Sequence, residues 1–444
     1  MADYFFDADA SGNADGLSEA NAYDGSTSTT LPDGTVLACN LSKVIYYLGV
    51  ANTLWVKKSA SAPTFNASST RGNNTRIGPT RFMDGATAYG YNEIIGYQGT
   101  TGDGLRADIN LSSLTYREDR KYTIVKNLNF TGTYNGGLVR AGTNTTFENC
   151  RFENTNTAAT SYAFESYGGI AVRCECIGHV SVASPTSTDC VVHISAGYLR
   201  ALDSCYIEAR NGSHGVSLFT SSVGALISNN IINVNLDANG AGYNSGNGIH
   251  NINASYANSF TATGNIIHNA NDGINIGYDN PSQANRARIF VYGNIMSNCV
   301  NGVKVADKFN YPIDTVTTAL TNTYYEFFDN FYHNCTTSTT NFNREANITI
   351  LASDPFVSSA TKDFTITSTK ASLFGYASQF YQEDGGASGD TITKNALIHI
   401  QPNIFSASYS GSLSLGTGGV GDEVTVSGRS YKKYSSSPPV WRRV

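Results

Sequence analysis

The sequence carries little charge of either sign. Only 14% of its 444 residues are Asp, Glu, Lys or Arg, and the formal net charge is −6. Proteins that bind nucleic acid usually present a basic surface, so this composition argues against a nucleic-acid partner. The chain also lacks an apolar run of about 18 residues, which argues against a membrane-spanning helix.

The first sixteen residues, MADYFFDADASGNADG, contain no basic start followed by an apolar stretch. They therefore do not resemble a secretory signal. Either a leader has been removed, or the protein reaches its place of action by cell lysis or by assembly into a particle.

The sequence has eight cysteines but no CxxC pair, which argues against a zinc site. Their positions fit a repeat better than a disulfide framework. We expect them to be buried free thiols that act as small apolar side chains. Disulfides or metal binding are the alternatives.

What the sequence does have is a repeated phrase rich in asparagine. ATGNIIHNANDGINIG at 262–277 recurs as YGNIMSNCVNGVKVA at 292–306. An Asn or Cys before an apolar pair marks eight such units, at Asn127, Cys150, Cys174, Cys205, Asn230, Asn265, Asn294 and Asn330. The variable steps between these residues predict stacked coils with loops inserted at one or two corners.

Five units also carry a second phrase, GGLVRA, HGVSLF, NGIHNI, DGINIG and NGVKVA, that begins at 136, 214, 247, 272 and 301. These runs are short and β-prone, and each one is expected to follow a glycine turn. Helical periodicity is absent from this region. Short strands at a repeated step predict a parallel β-solenoid.

Stacked coils place equivalent residues above one another, so like residues should form ladders. One predicted asparagine ladder contains Asn154, Asn269, Asn298 and Asn334. Cys299 and Cys335 should stack as a pair. Cys150, Cys174 and Cys205 should share one register.

Residues 36–48, VLACNLSKVIYYL, have apolar side chains at helical spacing. They predict an amphipathic helix that caps the N-terminal end of the solenoid, because an open end would expose strand edges. The segment TLWVKK at 53–58 should be the first strand after it.

Three segments carry a resemblance to a known family. FFDADASGNADGLSEANAYDG at 5–25, NEIIGYQGTTGDG at 92–104 and SDPFVSSATKDFTIT at 353–367 resemble the entry, an early coil and the closing segment of right-handed parallel β-helix proteins of the pectate-lyase superfamily. The resemblance spans roughly residues 4–376. It implies an all-β, right-handed parallel β-helix. It does not imply one activity, because this fold carries lyases, hydrolases, phage tailspikes and inert scaffolds.

The sequence therefore predicts a division into four parts. These are an N-terminal cap and entry strand at 1–60, a β-helix at 61–377, a polar linker at 378–390 and a small C-terminal β module at 391–444. The module resembles those of phage structural proteins. Its basic and aromatic tail is the expected docking or oligomerisation surface, with candidate residues Arg429, Lys432, Lys433, Trp441, Arg442 and Arg443.

A calcium site is one candidate for chemistry. Asp7, Asp9, Ser11 and Gly12 form the start of an EF-hand-type loop, but Ser18 stands where the loop needs its bidentate carboxylate. A turn rich in side-chain-to-backbone hydrogen bonds is the favoured interpretation. We expect no resident metal or other cofactor.

Glycoside cleavage is a second candidate. It needs two carboxylates about 5–9.5 Å apart, and in a solenoid these would come from neighbouring coils. Asp272, Asp279 and Asp307 are the densest acidic group near the repeat strands, and Arg286 and Arg288 lie nearby in sequence. The favoured alternative is that Asp272 makes an Asp-Gly turn and that Asp279 makes a turn before Pro281.

Aromatic and imidazole side chains are a third candidate. The chain has 27 tyrosines, and Tyr278 and Tyr292 are candidates, with Arg288, for binding carbohydrate. Tyrosines can equally form a contact between subunits. The seven histidines are scattered, and packing or solvent exposure is favoured over a catalytic pair.

Three functions remain open. The favoured one is a virion structural protein (a phage tailspike, fibre or capsid-decorating protein) at the particle surface, expected to be a homotrimer that contacts other virion proteins and a cell-surface polysaccharide. The alternatives are a secreted polysaccharide lyase or glycoside hydrolase, and a non-viral adhesin or surface scaffold.

Overall fold

The structure is a computed structural model. It describes residues 2–32, 34–48, 51–60, 76–77, 92–118, 123–142, 145–181, 185–186, 188–195, 197–219, 222–236, 246–251, 259–276, 288–305, 324–340, 345–346, 348–367, 377–379, 397–399, 423–426, 429–436 and 439–443. Contacts between Cα atoms divide these residues into two compact units, one that ends at Asp354 and one that starts at Pro355. Residues 355–367 and 377, which the sequence analysis places in the solenoid, group with the second unit.

The first unit is a parallel β-helix built from three long sheets, which we name A, B and C. Sheet A contains β1 (Asp3–Phe6), β4 (Thr53–Lys57), β6 (Asn92–Tyr97), β9 (Thr123–Lys126), β12 (Thr145–Glu148), β15 (Ile170–Val172), β18 (Gly197–Asp203), β21 (Ser222–Ser228), β24 (Ser259–Thr263), β27 (Arg288–Tyr292), β30 (Tyr324–Phe328) and β33 (Glu345–Ala346).

Sheet B follows sheet A around each coil. It contains β7 (Ala107–Ser112), β10 (Leu128–Gly132), β13 (Arg151–Asn154), β16 (Glu175–Gly178), β19 (Tyr206–Arg210), β22 (Ile231–Leu236), β25 (Ile266–His268), β28 (Ile295–Ser297), β31 (Phe331–His333) and β34 (Thr349–Leu351).

Sheet C completes the coil. It contains β5 (Arg76–Ile77), β8 (Thr115–Glu118), β11 (Gly137–Ala141), β14 (Tyr162–Ser166), β17 (Cys190–Ile194), β20 (His214–Leu218), β23 (Ile249–Asn251), β26 (Asp272–Ile276), β29 (Asn301–Val305) and β32 (Thr337–Thr340). Each strand pairs in parallel with its equivalents one coil before and after, so the predicted parallel β-helix is confirmed.

The corner between sheets A and B is held by a column of hydrogen-bonding side chains. Asn265 is fully buried; its Oδ1 accepts from Asn230 Nδ2 at 2.9 Å, and its Nδ2 donates to Asn294 Oδ1 at 2.9 Å. Asn294 donates to Asn330 in the same way. The four asparagines therefore form one continuous ladder along the axis.

Three cysteines continue this column toward the N-terminus. The thiol of Cys205 lies 3.4 Å from the carbonyl of Ala171, and that of Cys174 lies 3.4 Å from the carbonyl of Phe147. The asparagine amides donate to the equivalent carbonyls, as Asn230 does to Leu202 at 2.8 Å. All eight cysteines are free thiols, as predicted, and those in the column replace an amide donor by a weaker S–H donor.

The register proposed for Asn127 was wrong. The strand pairing sets Asn129 opposite Arg151, so Leu128 is the equivalent of Cys150 and Asn127 is the equivalent of Asn149. Asn127 and Asn149 both have a positive φ, of 55° and 51°. They occupy the left-handed corner position just before the ladder, where asparagine is better tolerated than most residues.

The glycines of the second phrase also differ from expectation. Gly215, Gly248, Gly273 and Gly302 do not turn a corner but stand within or beside strands of sheet C. A Cβ on Gly248 would lie 2.3 Å from Ile267 Cγ2 and 2.5 Å from the carbonyl oxygen of Gly273. Glycine is required there because the apolar side chains of sheet B fill the space.

Gly248→Ala is therefore expected to lower the free energy of unfolding by about 2 kcal/mol through overpacking. Gly99→Ala is the matched control, since its Cβ would meet only Asp103 Oδ2, at 3.8 Å. Urea denaturation followed by circular dichroism compares the two variants. Equal stability of the two would contradict the packing described for this column.

The second predicted asparagine ladder occupies the tight corner between sheets B and C. Asn269, Asn298 and Asn334 have φ of 60°, 55° and 48°, and Asn334 Nδ2 donates to Asn298 Oδ1 at 2.7 Å. Asn154 shares their register but does not join them, because a longer loop follows its strand. Its Nδ2 instead donates to the carbonyls of Tyr134 and Tyr162, each at 2.9 Å.

The N-terminal end contains a shorter helix than the sequence predicts. β2 (Ser28–Thr30) and β3 (Val36–Ala38) form a small antiparallel pair, and only α1 (Leu41–Tyr46) is helical. Asn40 caps α1 by accepting from the backbone N–H of Lys43 at 3.1 Å. The apolar face of α1 joins the core of the first coils, which agrees with the predicted end cap.

The second unit consists of short antiparallel pairs. β35 (Phe356–Ser358) and β36 (Asp363–Ile366) form a hairpin around a 3₁₀ turn at Ser359–Thr361, and β37 (Ala377–Gln379) pairs with β38 (Leu397–His399). β39 (Glu423–Val426), β40 (Arg429–Ser436) and β41 (Pro439–Arg443) form a three-stranded sheet. Its strands contain all six candidate docking residues.

Candidate functional site: the outer face of sheet C

Sheet C carries two rows of polar side chains that run parallel to the helix axis. We name the first row by its residues in consecutive strands, which are Arg140, Glu165, His193, Ser217, His250, Asn275 and Lys304. The residue before each of them is apolar and buried in the core, so this row points outward. Neighbours along the row are separated by the strand spacing of about 4.8 Å.

The second row lies three residues earlier in each strand or just before it. It contains His214, Asn247, Asp272 and Asn301. Hydrogen bonds connect its members from coil to coil, and Asp272 Oδ1 accepts from Asn301 Nδ2 at 2.7 Å. The two rows together form a continuous polar surface on one face of the β-helix, in which Arg140, Asn275, Asn301 and Lys304 are partly exposed and the other residues of the two rows are buried.

Glu165 is the centre of a cluster at the N-terminal end of the surface. Arg140 Nε lies 2.7 Å from its Oε2, and His193 Nδ1 lies 3.5 Å from its Oε1. Burial alone would raise the pKa of Glu165, but the interactions with His193, Arg140 and Tyr167 outweigh it and lower the pKa. The group is therefore a carboxylate at neutral pH.

Aromatic side chains surround this cluster. Arg140 lies 4.5 Å above the ring centre of Tyr167, and the His193 ring stacks on Tyr162 with centres 4.5 Å apart. Phe219 approaches the His193 ring from another side, at 5.4 Å. Nδ1 is the ring nitrogen of His193 that lies nearest to Glu165, but neither Nδ1 nor Nε2 makes a hydrogen bond of good geometry among the described residues.

His214 and His250 form a second cluster in the middle of the surface. Their rings stack with centres 4.1 Å apart, and both are nearly fully buried. Desolvation lowers the pKa of His214 to about 4. Desolvation also lowers the pKa of His250 well below its usual value, with His214 as the second cause. Both rings are neutral at pH 7.

Asp272 is the acidic residue of the C-terminal end. It is 1% exposed, hydrogen-bonded to Asn275 and Asn301, and 3.8 Å from Lys304 Nζ. The pair of Asp272 and Lys304 has no net charge, and neither has the pair of Glu165 and Arg140. The first row continues to Arg117, the equivalent of Arg140 in β8, so these two pairs do not account for every charge of this surface.

Of the three carboxylates singled out from the sequence, only Asp272 lies among the described residues. Asp272 begins β26 and makes no Asp-Gly turn, whereas Asp279, Asp307 and Tyr278 lie outside the described residues. Arg288 and Tyr292 belong to β27 of sheet A, so they do not share a sheet with Asp272. The catalytic role of the three aspartates stays a prediction, and so does the binding of carbohydrate by Tyr278, Tyr292 and Arg288.

The candidate docking residues lie on neighbouring strands of the second unit. Lys432 is opposite Arg442, and Lys433 is opposite Trp441, in the pairing of β40 with β41. Arg429 begins β40 and Arg443 pairs with Tyr431. The docking role of these strands stays a prediction.

The first acidic loop uses its carboxylates within the chain. Asp7 Oδ2 lies 3.0 Å from Lys57 Nζ, and Asp9 Oδ2 accepts from the backbone N–H of Ala60 at 2.6 Å. In the ranges that the structure describes, no three His, Cys, Asp or Glu side chains lie close enough to hold a metal ion. No helix there has the length and apolar character needed to cross a bilayer.

Sequence reasoning missed most of the surface on sheet C. Arg140 and Glu165 were not considered, and His193, His214 and His250 were treated as scattered. The fourth residue of successive strands reads Arg, Glu, His and Ser in β11, β14, β17 and β20, but only β11 and β20 contain the second phrase that the sequence analysis identified. Stacking that phrase, rather than the asparagine phrase alone, would have found only part of the surface.

Sheet B carries a different charged cluster on its outer face. Glu153 pairs with His179 at 3.0 Å and with Arg151 at 2.8 Å, and Arg210 Nε pairs with Glu208 at 2.6 Å. The hydrogen bond from His179 is the main cause of the lowered pKa of Glu153. Because these charges satisfy one another, the cluster is best explained as a structural clamp between coils.

Comparison with known proteins gives little more. No protein-family model matches the sequence, and no curated protein sequence matches it significantly. A solved rhamnogalacturonan lyase is similar in structure, with a TM-score of 0.44 and 10% identity over 81% of this chain and 91% of that chain. So distant a likeness supports no conclusion about family or activity, and the parallel β-helix assignment rests on the strand pairing described above.

Proposed function

We propose that this protein binds a polysaccharide along the outer face of sheet C. The observation that supports the proposal best is the pair of polar rows that repeat from coil to coil. A row whose groups recur every ~4.8 Å along one axis matches a linear polymer of hydroxyl-bearing units better than a compact ligand.

Aromatic side chains beside the rows support the same proposal. Tyr167 is half-buried beneath Arg140, and Tyr162 and Phe219 flank His193. Tyrosine and phenylalanine rings can stack against the apolar faces of sugars at little entropic cost. Polar groups next to such rings are typical of ligand sites.

The geometry favours binding over glycoside hydrolysis. Glu165 and Asp272 are the two carboxylates among the described residues of the two rows, and they are four strand steps apart, from β14 to β26. At ~4.8 Å a step the separation is roughly 19 Å, whereas hydrolysis needs about 5–9.5 Å. The lowered pKa of Glu165 also makes it unsuitable as a general acid at neutral pH.

A polysaccharide lyase is a second candidate because of His193. Its Nδ1 faces the carboxylate of Glu165, which favours a proton on Nδ1 and leaves the Nε2 lone pair able to accept a proton. A base so placed could abstract a proton from an acidic sugar. Formation of unsaturated products from acidic polysaccharides, and its loss in His193→Gln, Asp272→Asn and Asp307→Asn, would test this candidate.

Attachment of a virion to a host-surface glycan is the biological role that we favour for such binding. A glycan-binding β-helix with a separate small module suits an attachment protein, and the basic strands of that module suit contact with other particle proteins. The homotrimer belongs to the same proposal. Mass photometry of the purified protein tests it, because a stable monomer that binds glycan would argue against this role.

The direct test of the proposed function is a glycan-array screen followed by titration calorimetry. Glu165→Gln should weaken binding of the selected glycan at least tenfold, because it removes the charge that orders Arg140 and His193. Glu153→Gln on sheet B is the matched control, since that carboxylate also pairs with an arginine and a histidine. The proposal fails if no glycan binds, or if the two variants bind equally well.

A further inference from the structure

The stacked rings of His214 and His250 are both hydrogen-bonded to Asn247. Asn247 fixes the protonation of both rings. Its Oδ1 accepts from the backbone N–H of Asp272 at 3.1 Å, which identifies the oxygen of the side-chain amide. The amide nitrogen must then be the donor in the 2.9 Å contact with His250 Nδ1.

The second ring is fixed by the same residue. The backbone N–H of Asn247 donates to His214 Nδ1 at 2.9 Å. A neutral imidazole that accepts at Nδ1 carries its proton at Nε2. Both histidines are therefore neutral and present an Nε2–H donor.

Neither donor is used. Within the described part of the chain, His214 Nε2 and His250 Nε2 are buried and have no hydrogen-bond partner. A buried donor without an acceptor costs about 1–3 kcal/mol, so two together call for an explanation. Both Nδ1 atoms face Asn247, and so both Nε2–H groups lie on the opposite side of the stack.

The spacing of the donors limits what can occupy the site. The rings are 4.1 Å apart and only 20° from parallel, which places the two Nε2–H groups side by side. Two donors about 4 Å apart can both reach a single oxygen at about 2.9 Å. The occupant is therefore expected to offer one oxygen with two lone pairs.

Charge and proton count narrow the choice further. Lys304 and Arg140 are already paired with Asp272 and Glu165, so neither of them is free to neutralise an anionic occupant. A hydroxyl group or a water can also accept from both donors through its two lone pairs, but its own proton then needs a further acceptor. A carbonyl oxygen has two lone pairs, no proton and no charge.

We propose that the Nε2–H groups of His214 and His250 together bind the carbonyl oxygen of an acetylated sugar. This proposal rests on the proposed glycan binding and specifies one chemical group of the ligand. The pair acts as a binding element, and it should select acetylated units at the middle of the polar surface.

The test uses the full chain with ¹⁵N-labelled histidine and NMR of the imidazole nitrogens. His214→Gln and His250→Gln each remove one signal and so assign the pair. We expect both rings to show the Nε2–H tautomer, and both Nε2–H signals to shift on addition of N-acetylglucosamine but not of glucose. An Nδ1–H tautomer, or equal shifts with both sugars, would overturn the inference.

Two further variants separate this inference from the proposed function. His250→Gln keeps an N–H donor near the same place and should bind the acetylated sugar within about threefold of the original protein, whereas His250→Phe should lose at least tenfold. If an array glycan binds in a manner sensitive to Glu165→Gln and neither histidine signal responds to it or to N-acetylglucosamine, the acetyl site is wrong and the glycan surface stands. If no glycan binds at all, the proposed function itself fails.

Discussion

Asn265→Ala is expected to lower the free energy of unfolding by about 4 kcal/mol, more than any other single substitution considered. The Asn265 side chain accepts from the backbone N–H and the Nδ2 of Asn230, and it donates to Ile227 O and to Asn294 Oδ1. Alanine would leave several of these buried groups without a partner at once. Chemical denaturation of the full chain measures the loss.

Asn265→Cys is the matched control for this prediction. Cys205 occupies the same column with a thiol that lies near Ala171 O and accepts from the backbone N–H of Cys174, each at 3.4 Å. The column therefore tolerates a thiol, and Asn265→Cys should cost no more than about half as much as the alanine substitution. A cysteine variant as unstable as the alanine variant would show that the ladder is not the source of the effect.

The protein is expected to lose stability as pH falls from 6.5 to 4. Burial holds the pKa of His214 and of His268 at about 4, whereas an unfolded histidine titrates near 6.5. The unfolded chain therefore takes up protons in this range and the folded chain does not, so acid favours unfolding. Since one pKa unit is worth about 1.4 kcal/mol, His214 alone should account for roughly 3 kcal/mol by pH 4.

Urea denaturation at pH 7 and at pH 5 tests this prediction in a window above the titration of most carboxylates. His214→Gln should reduce the difference in stability between the two pH values. The pKa of Glu165 is lowered, so the stability that this group contributes is lost only at more acidic pH. Its titration therefore does not affect the difference in stability between pH 7 and pH 5. A pH difference that His214→Gln leaves unchanged would contradict the buried, neutral state of this ring.

The sequence was sufficient to predict the fold because one residue type, asparagine, recurs at the ladder positions. Asn265 and Asn294 mark the same corner of successive coils, and like side chains must stack when coils are ~4.8 Å apart. The prediction was off by one residue at Asn127, because asparagine also suits the left-handed position just before the ladder. Because asparagine suits both of these neighbouring positions, the register was assigned one residue too early.

The candidate site was less predictable for a different reason. Asn247 is 33 residues from His214 in sequence and three from His250, yet it is bonded to both. Insertions of variable length between strands hide such contacts until the register of sheet C is known. The carboxylate singled out first, Asp272, does lie on the surface, but its partners there are Asn275, Asn301 and Lys304 rather than a second acid.

The central claim is that a polysaccharide lies along the outer face of sheet C. A crystal structure of the protein with an oligosaccharide selected on the array tests this claim most directly. We predict sugar units parallel to the helix axis, in contact with Arg140 and Glu165 at one end and with His250 further along. Sugar bound to sheet A, to sheet B or to the second unit, with the face of sheet C empty, would contradict it.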